Sequence, residues 1–304
     1  MQEFDLVIVG AGVAGLTAAT TAGRFGLRTA VVDRLGAGGQ IVNAERIENL
    51  PGLAEGIGGF ELGPLLQEQA EAAGAAFLLD DIEAIEADGA AWVVRGTEDS
   101  LKAPAVILAT GSQPRTLGVP GEEEFRGRGV SHCATCDGPL FAGKTVAVVG
   151  GGDAALDEAA VLAAHAATVT VYLRAEAPRA QAILRQQAGE RANLTLVGGA
   201  TVEAITGGDG VAAIRVRRDG AVQEVPVEGV FVYIGTEPET GFLRGVVDLD
   251  PAGHVATDIL MRTSRPGLFA AGDVRQHSVA LLPAVAGDGA TAAISAFRHL
   301  RGGR

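Results

Sequence analysis

Two glycine-rich turns constrain the fold of this chain more than any other feature of its sequence. The first, Gly10-Ala11-Gly12-Val13-Ala14-Gly15, follows a strand predicted at residues 5–9, and the second, Gly150-Gly151-Gly152-Asp153-Ala154-Ala155, follows a strand predicted at residues 145–149. An alanine-rich helical stretch and a further apolar strand come after each turn. Glycines at such positions let the backbone approach a pyrophosphate at a helix N-terminus. The sequence therefore predicts an α/β fold with two doubly wound, Rossmann-like dinucleotide-binding domains.

The residues that end the second strand of each unit differ in charge. The first unit has Asp33, whose carboxylate can accept hydrogen bonds from a ribose diol and would repel a 2′-phosphate. The second unit has Arg174 and Arg179, whose guanidinium groups can pair with a 2′-phosphate. We therefore expect FAD in the first unit and NADP(H) in the second. Two alternatives stay open: the arginines are solvated charges, or Glu176 holds a ribose diol and favours NADH.

Two later strands that stop at a glycine indicate how the domains are connected. Residues 105–110 precede Gly111, and residues 268–271 precede Gly272-Asp273. If the C-terminal strand returns to the first domain, that domain is discontinuous. We expect an FAD-binding domain at 1–116 and 245–304. Inserted between these parts, at 117–244, we expect an NAD(P)H-binding domain that carries a redox pair of cysteines.

Chain crossings between these domains are expected near Gly118–Gly121 and Thr240–Arg244. Two such connections could act as a hinge. The last helix is expected to begin near 286–289, after the strand that ends in Gly272-Asp273.

The only two cysteines, Cys133 and Cys136, are separated by two residues and followed by Asp137. Such a pair can close to a disulfide or open to a dithiol, and the neighbouring carboxyl can manage its protons. The N-terminus lacks the pattern of a signal peptide, and no run of about twenty apolar residues predicts a membrane span. We therefore expect a cytoplasmic protein, in which a CxxC pair is more often catalytic than structural.

Charge and histidine spacing limit the classes of ligand. The formal net charge of −13 argues against a sequence-independent nucleic-acid surface, which needs concentrated Lys and Arg. His254, His277 and His299 show no ligand spacing with one another or with the cysteines, so no metal site is predicted.

Along nearly its whole length the chain resembles the low-molecular-weight, bacterial-type thioredoxin reductases. The resemblance rests on the segments VIVGAGVAGLTAA, GGQIVNAERIENLPG, ILATGSQPR, CATCDGPLFAGKTVAVVGGGDAALDEA and LFAAGDVR. It implies one domain for FAD, one for NADPH, a homodimer, and thioredoxin or a thioredoxin-like protein as the partner. It also implies that Cys136 faces the flavin, that Cys133 attacks the substrate disulfide, and that Asp137 protonates the leaving thiolate.

The same resemblance implies two sets of cofactor-binding residues. Those expected to line the FAD site are Gly10, Gly12, Gly15, Asp33, Gln40, Asn49, Gly111, Gly272 and Asp273. Those expected to line the nicotinamide-nucleotide site are Gly150, Gly152, Asp153, Ala154, Glu158, Arg174 and Arg179.

Two segments depart from the family's usual pattern. Leu173 and Ala175 flank Arg174 where the family has a histidine and a second arginine. Loss of one charged contact, worth about 1.5–3 kcal/mol, lowers affinity for a 2′-phosphate about tenfold or more. Ala280-Leu281 stands where the family places an Arg-Gln pair. Alternatives are therefore a reductase that uses NADH or ferredoxin, an FAD-dependent oxidase of small dithiols, and a non-enzymatic flavin redox sensor.

Overall fold

Short apolar segments form the central strands of the structure, a computed structural model that describes residues 1–302. The strands are β1 (Gln2–Glu3), β2 (Leu6–Val9), β3 (Thr29–Asp33), β4 (Ala76–Leu79), β5 (Ile82–Asp88), β6 (Ala91–Gly96), β7 (Ser100–Ala103), β8 (Ala105–Leu108), β9 (Ser112–Pro114), β10 (Val130–Ser131), β11 (Thr145–Val149), β12 (Thr168–Tyr172), β13 (Leu194–Val197), β14 (Ala200–Gly207), β15 (Val211–Arg218), β16 (Ala221–Pro226), β17 (Gly229–Val232), β18 (Thr236–Pro238) and β19 (Leu268–Ala270). The α-helices are α1 (Val13–Arg24), α2 (Gly59–Ala72), α3 (Ala134–Asp137), α4 (Asp153–Ala163), α5 (Ala182–Gly189) and α6 (Leu282–Leu300).

The chain divides into two compact units. Unit 1 comprises Met1–Gln113 and the chain from Glu237 onward, and unit 2 comprises Pro114–Thr236. Unit 1 contains a five-stranded parallel sheet in the order β19-β8-β2-β3-β4 and a four-stranded sheet in the order β1-β7-β6-β5. Unit 2 repeats the plan, with a five-stranded sheet β10-β17-β11-β12-β13 and a three-stranded sheet β14-β15-β16.

Side chains that alternate between the two faces of the central strands explain the layers of unit 1. Strand β2 is buried on both faces, as strands of parallel sheets usually are. Leu6 and Ile8 point to the face covered by α1 and α6, whereas Val7 and Val9 point to the opposite face, against Trp92 of the four-stranded sheet. The apolar run at residues 5–9 therefore forms the centre of a three-layer unit.

The same alternation builds unit 2 around β11. Val146 and Val148 pack with Leu156 of α4, and Ala147 and Val149 pack on the face covered by the three-stranded sheet. The predicted fold class, two Rossmann-like domains with the second inserted in the first, is confirmed.

The two compact units divide the chain at other residues than the predicted domains do, since residues 237–244 lie in unit 1 and residues 114–116 in unit 2. Glu239 is hydrogen-bonded to the segment after β8 in unit 1. Its N–H donates to the Gly111 carbonyl (3.1 Å), and its own carbonyl accepts from Thr110 Oγ1 (2.9 Å). Leu243 is fully buried in the core of unit 1. The chain passes between the units within β9 and β18, not at the glycines near 118–121 or at 240–244.

The last helix also begins earlier than expected, at Leu282 and not near 286. Pro283 lies in its first turn, where a missing N–H removes no intrahelical hydrogen bond. Val285 N–H already donates to the Leu281 carbonyl at 3.0 Å. Within residues 1–302, none of the helices has the length and apolar character needed to cross a membrane.

Candidate active site

The cysteine pair lies at the start of the short helix α3 in unit 2. Cys133 is the residue before the helix, Cys136 is its third residue, and the two form a disulfide with their Cα atoms 5.3 Å apart. This separation is typical of disulfides. Cys136 N–H also donates to Cys133 Sγ at 3.1 Å. A compact turn of four residues thus contains both sulfurs.

Ser131 connects the candidate acid to the cysteine turn. Its Oγ donates to Asp137 Oδ2 at 2.6 Å and accepts from Cys133 N–H at 3.0 Å. Ser131 is buried at the end of β10, so the sheet fixes the position of this hydroxyl. The carboxyl of Asp137 is therefore held close to the pair by a single buried side chain.

Glu158 of α4 lies beneath the same turn. Its Oε2 accepts from Ala134 N–H at 2.9 Å and from the Tyr233 hydroxyl at 3.1 Å. Burial raises the pKa of Glu158 to about 7. Burial and the neighbouring Glu158 charge likewise raise the pKa of Tyr233. The structure thus places Glu158, which the sequence assigned to the nicotinamide nucleotide, in contact with the cysteine helix.

The first glycine turn, in unit 1, leaves room for a phosphate group. Gly10 has φ +106°, and a Cβ on Gly15 would overlap the Gly10 carbonyl, so both positions need glycine. Gly12 precedes α1, has open space where a Cβ would lie, and places no side-chain acceptor on the first N–H groups of the helix. These residues fit a dinucleotide pyrophosphate at the helix N-terminus.

Asp33 holds the loop after β3 against that turn. Its Oδ2 accepts from Ala11 N–H at 2.7 Å, and its Oδ1 accepts from Leu35 N–H and Gly36 N–H. Each carboxylate oxygen has two acceptor positions, so Oδ2 can still bind a ribose hydroxyl. A cleft at the carboxyl end of the sheet brings Asp33 together with Gly10 and Thr110, where doubly wound folds bind their ligands.

The remaining residues predicted for FAD occupy separate places in unit 1. Gln40 donates from Nε2 to the Ser112 carbonyl at 2.8 Å, and Asn49 lies on an exposed loop. Gly111 follows β8 with φ +68°. Gly272 has φ +79° and approaches the first turn of α1, since an added Cβ would lie 2.9 Å from Ala14 Cβ.

Asp273 accepts from Ser278 Oγ at 2.7 Å, while Gly272 N–H points to Asp288 Oδ2 at 3.3 Å. Asp288 also forms a largely buried ion pair with Arg275, whose Nε lies 2.7 Å from Oδ2. This acid therefore ties α6 to the Gly272-Asp273 turn, a connection that the sequence prediction missed.

The second glycine turn, in unit 2, shares two features with the first. Gly150 has φ +148°, and Gly152 precedes α4 with open space at its Cβ position. Asp153 binds Gln181, accepting from its N–H at 2.8 Å and from its Nε2 at 2.6 Å. Ala154 follows Asp153 in the exposed first turn of α4.

The two candidate 2′-phosphate ligands follow β12. Arg179 N–H donates to the Gly151 carbonyl at 2.8 Å, which places this arginine beside the glycine turn. Arg174 is exposed at the end of the strand. Leu173 is buried and contacts the turn, because a Cβ on Gly151 would lie 3.2 Å from Leu173 Cβ. An apolar side chain thus fills the position directly before Arg174.

Sequence reasoning missed Ser131 and Tyr233. Ser131 lies two residues before Cys133, and Tyr233 follows β17 about a hundred residues later. Strands β10 and β17 are neighbours in the sheet, which brings both hydroxyls to one end of it. No spacing along the chain could have indicated this convergence.

Comparisons with known proteins agree with this geometry. The family model described as pyridine nucleotide-disulphide oxidoreductase matches residues 4–289. A thioredoxin reductase from Treponema pallidum is 40% identical over 301 residues, covering 98% of this chain and 97% of that protein. The crystal structure of Lactococcus lactis thioredoxin reductase has 36% identity and a TM-score of 0.96, covering 98% of this chain and 99% of that one. T. acidophilum thioredoxin reductase has 34% identity, a TM-score of 0.94 and 98% coverage of both chains.

Proposed function

Because the chain belongs to the pyridine nucleotide-disulphide oxidoreductase family, and within it to the thioredoxin reductases, we propose that it reduces thioredoxin or a thioredoxin-like protein. Electrons would pass from NADPH through FAD to the Cys133–Cys136 pair. A flavin and a pyridine nucleotide are the cofactors that membership of this family implies. The observation that carries the proposal is the disulfide between the only two cysteines, which lies in a unit with its own dinucleotide-binding glycine turn.

Unit 1 would bind FAD, with Gly10, Gly12 and Gly15 bringing the backbone close to the pyrophosphate and Asp33 binding the ribose. Unit 2 would bind NADPH, with Gly150 and Gly152 at the pyrophosphate and the arginines near the 2′-phosphate. The bound flavin supplies hydride acceptance from the nicotinamide and two-electron donation to a disulfide.

The chain's own residues then carry the exchange. Two electrons and two protons convert the Cys133–Cys136 disulfide to a dithiol. The Cys133 thiolate attacks the partner's disulfide, forms a mixed disulfide and releases one partner thiolate, which Asp137 protonates. Cys136 then attacks Cys133 Sγ, so the internal disulfide reforms and the second partner thiolate leaves. Ser131, bonded to Asp137 and to Cys133 N–H, would orient the acid toward this exchange.

Anaerobic titration of the FAD-loaded protein tests the electron donor. NADPH should bleach the yellow flavin absorbance within seconds, and NADH should do so only at higher concentration. Arg174→Ala should weaken the NADPH response, while Arg185→Ala, on the exposed side of α5, should leave it unchanged. If neither nucleotide bleaches the flavin and reduced ferredoxin does, the proposed donor is wrong.

Insulin reduction with added thioredoxin tests the acceptor. The wild-type protein should reduce insulin only when thioredoxin is present, and Cys136→Ser should lose this activity. Hydrogen peroxide formed in air from a small dithiol, without any nicotinamide, would instead identify a dithiol oxidase. Sedimentation of the same preparation tests the homodimer that we propose from the family.

A further inference from the structure

A buried carboxylate lies against the helix that carries the cysteines. Glu158 is 8% exposed, and its carboxyl accepts from Ala134 N–H and Thr135 N–H, the first N–H groups of α3. Free N–H groups at a helix N-terminus carry partial positive charge and normally favour a nearby cysteine thiolate. Here a carboxyl group takes up those donors.

Tyr233 fixes this carboxyl from the other side. Its hydroxyl donates to Glu158 Oε2 at 3.1 Å and lies 2.8 Å from Ala134 N, so the Ala134 N–H is shared between two acceptors. The three groups come from α3, from α4 and from the residue that follows β17, and these segments pack together in the core of unit 2.

Glu158 changes its charge near neutral pH, since burial raises its pKa to about 7. The titratable groups around it come from three elements. They are Tyr233 after β17, Asp157 beside it on α4, and Cys133, Cys136 and Asp137 of the cysteine turn. Cys133 directly precedes Ala134, whose N–H bonds the Glu158 carboxyl, so the charge of Glu158 acts on the ionisation of the thiols.

We propose that Glu158 is a positioning residue that opposes thiolate formation in the reduced Cys133–Cys136 pair and makes the reactivity of the pair rise less steeply with pH. The Glu158 carboxylate bonds the N–H of the residue next to Cys133, and neighbouring negative charges disfavour each other's formation. Below neutral pH the carboxyl is protonated and no longer opposes the thiolate. The inference deepens the proposed function and rests on it only in requiring that the pair can be reduced.

The test uses the full-length, FAD-loaded protein. Dithiothreitol supplies two electrons and two protons from its thiols, which converts the disulfide to a dithiol and the reagent to its cyclic disulfide. After the reductant is removed, iodoacetamide alkylates each thiolate with loss of iodide. Mass spectrometry then gives the rate from pH 5.5 to pH 9, and the chain has no other cysteines to confuse the count.

Glu158→Gln keeps the shape and an acceptor for Ala134 N–H but removes the charge. We expect its faster cysteine to react about five- to tenfold faster than wild type near pH 8, and within about twofold of wild type at pH 5.5. Glu190→Gln, the same substitution at an exposed site at the end of α5, should match wild type at every pH. A simple loss of packing would not produce a difference that disappears at low pH.

Tyr233→Phe is the second variant, for the case in which Glu158→Gln does not fold. Removing the hydroxyl that bonds the carboxylate should keep Glu158 protonated to higher pH, and so speed alkylation about twofold or more at pH 7.5. If wild type and the variant that folds show the same alkylation rates at every pH, the inference about Glu158 is wrong, and the proposed function is unaffected. Failure of dithiothreitol to reduce the wild-type pair would overturn the proposed function with it.

Discussion

The packing of α6 on α1 in unit 1 allows a prediction with a matched control inside one helix. Gly289 is buried, and an added Cβ would overlap the Ala14 carbonyl oxygen and lie 3.0 Å from the carbonyl carbon. Gly287, two residues earlier, is exposed and has nothing within 4 Å of the same position. Gly289→Ala and Gly287→Ala therefore add the same methyl group to the same helix in opposite environments.

The expected magnitudes follow from these contacts. Replacing glycine by alanine inside a helix stabilises by about 0.5–1 kcal/mol, which Gly287→Ala should show in full. Overpacking costs about 1–3 kcal/mol, and the upper end applies at Gly289 because the Ala14 backbone must move. Gly289→Ala should therefore lower the free energy of unfolding by about 2 kcal/mol. For a unit of this size that corresponds to a Tm about 4–8 °C lower, and Gly287→Ala should raise Tm by about 1–4 °C.

Thermal unfolding followed by circular dichroism, with the same excess of FAD in every sample, measures both shifts. The fixed FAD concentration matters because bound ligand raises Tm by mass action. Ala14 lies in the first turn of α1, beside the glycine turn, so Gly289→Ala should also weaken FAD binding. Equal Tm shifts for the two variants, or a higher Tm for Gly289→Ala, would refute the steric argument.

Three further predictions concern the cysteine unit. Ser131→Ala removes a charge-assisted hydrogen bond to Asp137, worth about 1.5–3 kcal/mol. The kcat of thioredoxin reduction should therefore fall about ten- to a hundredfold, whereas Ser131→Thr should retain most of the wild-type kcat. Ala175→Arg should lower the KM for NADPH about tenfold and leave the KM for NADH unchanged. Equal changes in the two KM values would argue against a 2′-phosphate site at Arg174. Because the pKa of Glu158 is about 7 in the folded protein and 4.5 is its ordinary value, the folded state keeps a proton that the unfolded state loses between these pH values. Stability should therefore fall by about 3 kcal/mol across this window in wild type but not in Glu158→Gln, as urea unfolding at pH 4.5, 6 and 8 would show.

Local sequence patterns predicted the elements that depend on short-range constraints. The strand at 145–149 and the helix after Gly12 follow from an apolar run and a glycine turn, since positive φ and close approach need glycine wherever the chain adopts them. The cysteine turn was equally visible, because its partners lie three residues apart. Family resemblance then extended these local patterns to cofactors and residue roles.

Contacts between distant residues needed the tertiary structure. The sequence prediction assigned residues 237–244 to the inserted domain, whereas the Glu239–Gly111 hydrogen bond and the burial of Leu243 connect them to unit 1. Glu158 occurs in a nucleotide-binding motif, yet its carboxyl bonds Ala134 and Tyr233.

The sequence alone therefore determined two dinucleotide-binding units and a redox pair. Tertiary structure decided which acids and hydroxyls surround that pair. The physical reason is that strand pairing brings β10 and β17 side by side although about a hundred residues separate them, and burial between such elements controls the charge of Glu158.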